Sequence, residues 1–195
     1  MKIAITHPRS GSHLLAHILN LAPLSGYYDD ESAEPKPLSW IKNGLNGLDS
    51  IWFHYPYNEP LLNYLKKSDA ELYVLLRDPR DIIVSVAHFV NACPNNFLNY
   101  LYTENRLADY PFKQRIDRLI VGMKNHLYDY DRWRQSGHFR CMYFRDIIKS
   151  PVAKANTQEM RRGITGSHKD EMTPKQIRKS TDLYHPLIKA WGEGL

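Results

Sequence analysis

Short apolar runs rich in β-forming residues stand at separated points along the chain: Lys2 to Thr6, Ile51 to Tyr55, Leu72 to Leu76 and Phe139 to Phe144. Each ends in a turn or a polar break. In Tyr73-Val74-Leu75-Leu76 the apolar residues are consecutive rather than alternate, which suits a parallel strand buried on both faces of a sheet. The stretches between them carry helical spacing: Leu14, Leu15, Ile18, Leu19 and Ala22 form one stripe, and Ile116, Leu119, Ile120, Met123, Leu127 and Tyr130 another. Thr173-Pro174 reads as N-cap and first residue of a last helix with Ile177, Tyr184, Leu187, Ile188 and Trp191 on its apolar side. Strand and helix alternate, so the expected fold is α/β, in three layers.

Two segments break the pattern. Tyr27 to Pro37 is acidic and holds prolines, and Ser150 to Met172 is polar with Gly163 and Gly166; both are expected as long loops. A length of 195 residues predicts a single domain, residues 1–195, and excludes two independent catalytic domains. Hydrophobic residues at 43% and charged residues at 24% are ordinary globular usage. The formal charge is +5, and its excess is C-terminal: Lys149 to Leu195 holds 9 basic and 5 acidic residues, a net of +4. A local basic surplus suits an anionic partner without choosing among them. Cys93 and Cys141 are the sole cysteines, with no zinc spacing, so no metal and a reducing compartment are expected. Met1 to Thr6 is too short an apolar run for a signal peptide. No run approaches the about 18 apolar residues of a membrane span. The expectation is a cytoplasmic protein without membrane association.

Three clusters carry candidate chemistry. The first strand runs into Pro8-Arg9-Ser10-Gly11-Ser12 and then a helix. Such a turn aims backbone N–H groups at one point, where the helix dipole adds positive potential; Arg9 and the Ser10 and Ser12 hydroxyls add donors. It is not a Walker A loop, since Thr6 and Ser12 stand where Gly and Lys are required. By itself it is equally a plain strand-to-helix connection. The second cluster runs from Arg77 to Ser85, with Arg77 at a strand end and Ser85 on the following helix, an arrangement suited to a phosphate; a salt-bridge cluster of Arg77, Asp78, Arg80 and Asp81 is the alternative. The third is Arg161-Arg162-Gly163-Ile164-Thr165-Gly166-Ser167-His168-Lys169, either an anion clamp or a solvated basic loop.

Together the three clusters resemble the motifs of sulfotransferases that use 3′-phosphoadenosine 5′-phosphosulfate (PAPS). Pro8 to Leu14 is similar to the family's P-K-S-G-T-T-W, with Arg for Lys and Leu for the last Trp. Arg77 through Ser85 is similar to R-N-x-x-D-x-x-V-S. Arg161-Arg162-Gly163, Gly166, Lys169 and Thr173 fall in register with R-K-G-x-x-G-D-W-K-N-x-F-T. They occur in family order. The resemblance implies a P-loop-like parallel sheet, PAPS as co-substrate with PAP as product, and no metal. It implies nucleotide contacts from Arg9, Ser10, Gly11, Ser12, His13, Arg77, Ser85, Arg161, Arg162 and Gly163. Trp52-Phe53-His54-Tyr55-Pro56 lies where the family has K-T-H-x-P, which makes His54 the implied general base near its ordinary pKa of about 6.5, with Arg9 beside it in catalysis.

The departures are specific. Trp52 replaces the family lysine that neutralises the transferring group, which shifts that task to Arg9 and backbone donors. Leu14 replaces the tryptophan that stacks on adenine, and Phe144, in Phe144-Arg145-Asp146, looks like the counterpart of a second aromatic platform. The expected acceptor is a small molecule or a saccharide, not a nucleic acid; Tyr27, Tyr28, Trp40, Tyr55, Tyr57 and Phe89 are candidate pocket aromatics. Two rivals stand: a P-loop-like nucleotide kinase that has lost its lysine, and a non-catalytic module binding a phosphonucleotide or polyanion.

Overall fold

The computed structural model describes residues 1–23, 50–93, 96, 98–102, 106–150 and 165–191. The acidic stretch from Tyr27 to Pro37, Trp40, and the triplet Arg161-Arg162-Gly163 lie outside the described residues.

Among the described residues five parallel strands form one sheet: β1 (Lys2–Thr6), β2 (Ala22–Pro23), β3 (Ser50–Phe53), β4 (Glu71–Leu76) and β5 (Arg140–Tyr143), in the order β2-β3-β1-β4-β5. The four longer strands are those the apolar runs predict. β1 lies centrally, with Ile5 opposite Phe53 of β3 and opposite Val74 of β4. Consecutive apolar positions serve opposite faces. Ile3, Ile5, Ile51, Phe53, Leu72, Val74 and Leu76 enter one core, while Ala4, Trp52, Tyr73 and Leu75 enter the other.

The second face is covered by α1 (Ser12–Leu19) and the short α7 (Phe144–Ile147); Leu14, Leu15, Phe144 and Ile147 supply its core. The first and larger core takes α2 (Glu59–Leu65), α3 (Pro79–Ala92), α5 (Phe112–Gly122), α6 (Lys124–Gln135) and α9 (Pro174–Ala190). A short α4 (Leu98–Leu101) and α8 (His168–Glu171) lie in the connections. Buried polar groups pin the helices to the sheet. The Tyr130 hydroxyl on α6 lies 2.9 Å from the carbonyls of both Ile5 and Leu75, and Trp133 Nε1 donates to Tyr55 O at 3.0 Å. Asp131 accepts from Arg134, Gln135 and Trp191, which anchors the end of α9.

Two details differ from the periodicity. Ala22 belongs to β2, because α1 stops at Leu19 with Asn20 at φ 55° and the Leu21 N–H returning to Ala16 O. The stripe from Ile116 to Tyr130 is two helices that meet at Met123; every residue of the stripe is buried all the same. The last helix begins as expected, with Thr173 and Gln176 forming a reciprocal capping box.

Candidate active site

The chain leaves β1 toward β2 and leaves β4 toward β5, so its loops diverge above the carboxyl ends of β1 and β4. Open parallel sheets bind ligands in such a crevice. Pro8 to Ser12 and Arg77 both lie there.

The turn after β1 is built by its own side chains. Ser10 N–H and Ser10 Oγ both donate to His7 O, at 3.1 and 2.7 Å. The Ser10 hydroxyl hydrogen is thereby used inside the turn, which corrects the expectation that it is aimed at an anion. Arg9 has φ 66° and Gly11 φ 108°. At Gly11 a side chain is excluded twice, by that dihedral and because a Cβ would lie 2.6 Å from the Phe144 ring. Gly11 is also the N-cap of α1, and no side chain caps that helix. Ser12 Oγ, at the first helical position, is buried and has no hydrogen-bond partner among the described residues. A buried hydroxyl left open at an uncapped helix N-terminus is what an anion would complete. His13, one residue on, is exposed and meets the Trp52 ring edge-on at 5.2 Å.

The second motif holds the first. Arg77 Nη1 donates to Arg9 O at 3.0 Å, and the Arg77 guanidinium lies 4.2 Å from the centre of the Phe144 ring. Arg9 rests in the same manner on Phe89, at 4.4 Å. Phe144 is 3% exposed, so its ring is a platform for Arg77 and a wall for Gly11 with no open face for a purine in this conformation. The salt-bridge alternative is half realised. Asp78 caps α3 through the Arg80 N–H at 2.8 Å and pairs with the Arg80 guanidinium at 2.6 Å, both side chains buried. Arg77 and Asp81 take other partners. Ser85 is buried on α3, two turns into the helix.

His54 follows β3 directly. The β1–β3 register sets it beside Thr6, and its Nδ1 lies 2.8 Å from Thr6 O and 2.9 Å from Thr6 Oγ1. A backbone carbonyl only accepts, so the proton is on Nδ1 and the lone pair is on Nε2. The Trp52 ring stands edge-on to His54 at 5.3 Å. Burial pulls the His54 pKa down to about 4, against the Thr6 hydrogen bond, and the charges of His13 and Arg9 push the same way as burial. The expected value near 6.5 is therefore corrected downward. The Arg9 charge acts on His54 through space. Beneath the turn His7 is more strongly affected: burial takes its pKa to about 3, while its Nδ1 donates to Pro8 O at 2.8 Å.

Of the candidate aromatics, Tyr55 is buried in the core, Phe89 supports Arg9, and Tyr57 is half-buried with Arg132 stacked on it at 3.9 Å. Two residues beyond His54, Pro56 opens a groove also lined by Asn125, His126, Tyr128, Asp129 and Arg132. Asp81 was legible only as one acid in a charged run. In the fold it is fully buried and gathers donors from the segment beginning at Gly166. Its hint in the sequence was its place in R-x-x-x-D, four residues after Arg77.

No family model matches the chain, and no curated protein matches its sequence. Solved structures do. A mouse sulfotransferase, SULT7A1, complexed with PAP superposes with a TM-score of 0.62 at 16% identity, over 96% of this chain and 84% of that one. The fold is that of the sulfotransferases. A sulfotransferase from Alicyclobacillus acidocaldarius agrees, with a TM-score of 0.54 at 13% identity over 99% of this chain and 96% of that one. Within this sulfotransferase fold the described residues hold no group of three metal-ligating side chains and no helix long and apolar enough to cross a membrane.

Proposed function

We propose that the protein is a PAPS-dependent sulfotransferase that moves a sulfuryl group to an acceptor hydroxyl, with His54 as general base. The observation that supports this reading is the tautomer of His54, whose Nδ1–H is held by Thr6 so that the lone pair lies on Nε2. The residues fit the nucleotide: Ser12 Oγ is buried without a partner among the described residues at an uncapped helix N-terminus, and Arg9 and Arg77 flank the same turn. Arg9, Gly11, Ser12, His13, Arg77 and Ser85 would hold it. When bound, PAPS supplies an activated sulfuryl group and a phosphate leaving group. His54 is neutral at pH 7 and takes the acceptor proton on Nε2 as the new O–S bond forms. The α1 amides and Arg9 stabilise the charge that develops as the old S–O bond breaks. Trp52, packed between His13 and His54 where the family has lysine, adds no cation, so this electrostatic work rests on Arg9 and the backbone. The groove beginning at Pro56 offers hydrogen-bonding groups on Asn125, His126, Tyr128, Asp129 and Arg132 to an acceptor hydroxyl.

The test separates chemistry from binding. His54→Ala is expected to leave PAP affinity within a few-fold of wild type while transfer from labelled PAPS falls by about 10²-fold or more. Arg77→Ala is expected to weaken PAP by about 1.5–3 kcal/mol, the loss of a hydrogen bond to a charged group. A His54→Ala protein that transfers sulfate at the wild-type rate moves the base elsewhere. Failure of wild type to bind PAP ends the reading.

A further inference from the structure

The basic surplus at the C-terminal end of the sequence has a definite place in the fold. On α9 the buried side is Gln176, Ser180, Tyr184, Leu187 and Ile188. The exposed side carries Lys175, Arg178, Lys179, Asp182, His185 and Lys189, at helical steps of three and four. The side chains of its four cations make no hydrogen bond or ion pair with a described residue. Like charges one turn apart repel, so Lys175 and Lys179 weaken the helix that carries them. The row is also continuous with the groove beginning at Pro56. Tyr128, a wall of that groove, donates its hydroxyl to Leu183 O of α9 at 2.9 Å. Lys179 stands one turn before Leu183, and the exposed Lys124 one turn before Tyr128, so cations border the place where α6 meets α9. Asp182 is the single acid in the row, and Asp117 on the neighbouring α5 is engaged by Gln176 Nε2 at 3.0 Å.

We propose that the exposed face of α9, together with Lys124, binds the anionic groups of an acidic polysaccharide whose reacting hydroxyl lies in the groove. The inference rests on the transferase reading above and names its acceptor class. Lys175 and Lys189 lie about 21 Å apart along the helix axis, a span that a chain with repeated charges can follow and a small molecule held at His54 cannot. In the groove, Asn125, His126, Asp129 and Arg132 suit the hydroxyls of a sugar better than the ring of a phenol. The apolar side of α9 is buried in the core, with Leu187, Ile188 and Trp191, and leaves nothing to enter a bilayer. No Phe, Tyr or Trp is exposed beside its cations to stack on nucleic acid bases.

The experiment measures, by calorimetry at several salt concentrations, the affinities of wild type and of the double variant Lys175→Ala, Lys179→Ala for chondroitin and heparin hexasaccharides, neutral maltohexaose and PAP. Wild type is expected to bind at least one acidic hexasaccharide about tenfold or more tightly than maltohexaose. The double variant is expected to lose most of that preference, with a salt dependence shallower by about one to two in the slope of log K against log salt, a change that a merely structural role would not produce. Wild type without preference for either acidic hexasaccharide, or a preference unchanged in the double variant, overturns the proposal. Tighter binding to a short DNA duplex, or to vesicles of phosphatidylserine in phosphatidylcholine, that the double variant loses overturns the saccharide assignment. PAP affinity keeps the two readings apart. A wild type that binds PAP but shows no acidic preference sinks this inference alone, whereas one that does not bind PAP sinks the transferase reading beneath it.

Discussion

The ionisation of His54 is set by three influences that act differently. Thr6 fixes which nitrogen carries the proton, burial lowers the basicity, and Arg9 opposes a second positive charge. An ordinary imidazole is half protonated near pH 6.5 and loses its function as a base below it. In this protein the acid limb of kcat/KM for PAPS, which reports the nucleotide-free enzyme, is expected near pH 4, so that parameter should be flat from about pH 8 down to about pH 5.5. A limb centred near 6.5 would show that His54 is not the titrating base. Bound nucleotide adds negative charge beside the ring and is expected to raise its pKa, which NMR of the imidazole follows directly.

At the scale of elements, the junction of β1 with α1 is where local backbone and distant packing agree most closely. Gly11 caps α1 in a conformation that L residues avoid, and Phe144, at the start of α7, occupies the space a Cβ would need. Gly11→Ala is expected to cost about 2–4 kcal/mol, part from the backbone and part from overpacking. Adding Phe144→Leu should recover the packing share and leave the backbone share, a double-mutant cycle read by denaturant unfolding. A Gly11→Ala protein of wild-type stability would contradict this account of the turn. The helices show what periodicity can and cannot convey. The apolar stripe from Ile116 to Tyr130 predicts a buried face, which is found. It cannot register the break at Met123, because both helices keep their buried residues in phase across it.

For the whole molecule, His7 and His54 bind no proton in the folded state until far below the pH at which the unfolded chain binds one. Between pH 6.5 and their folded pKa values, about 3 for His7 and about 4 for His54, the unfolded state holds the extra protons. Stability is therefore fully present above about pH 6.5 and falls as the pH drops. Each histidine contributes a slope of at most about 1.4 kcal/mol per pH unit, with the half-buried His54 giving less. Asp81 extends the loss at lower pH. Burial would raise its pKa, but the His168 hydrogen bond, the Arg77 charge and the Gly166 and His168 N–H groups hold it at about 2 against an ordinary 3.8. Its stabilisation is present above about 3.8 and disappears as the pH falls toward 2. Urea unfolding between pH 7 and 4.5 should show a steep decline that His7→Gln makes shallower. The same slope in wild type and His7→Gln would refute the assignment.

The alternation of consecutive apolar runs with helical stripes determined the layered α/β fold, because strands buried on both faces must be apolar at every position. The spacing from Arg9 to Ser12 and from Arg77 to Ser85, together with the lone His54 after a strand, marked the site without showing what joins it. Tertiary structure alone decided the partners. Ser10 turns inward to His7, Arg77 reaches back 68 residues to Arg9 O, and Phe144 serves Arg77 and Gly11 rather than lying open to a purine. The lowered basicity of His54 and the donors gathered by Asp81 were likewise decided by the folded chain. Both depend on removal from water and on hydrogen-bond partners that parallel strand pairing and helix docking bring from 48 and 85–87 residues away. Local pattern specifies which faces are buried; only the folded chain specifies which polar groups meet there.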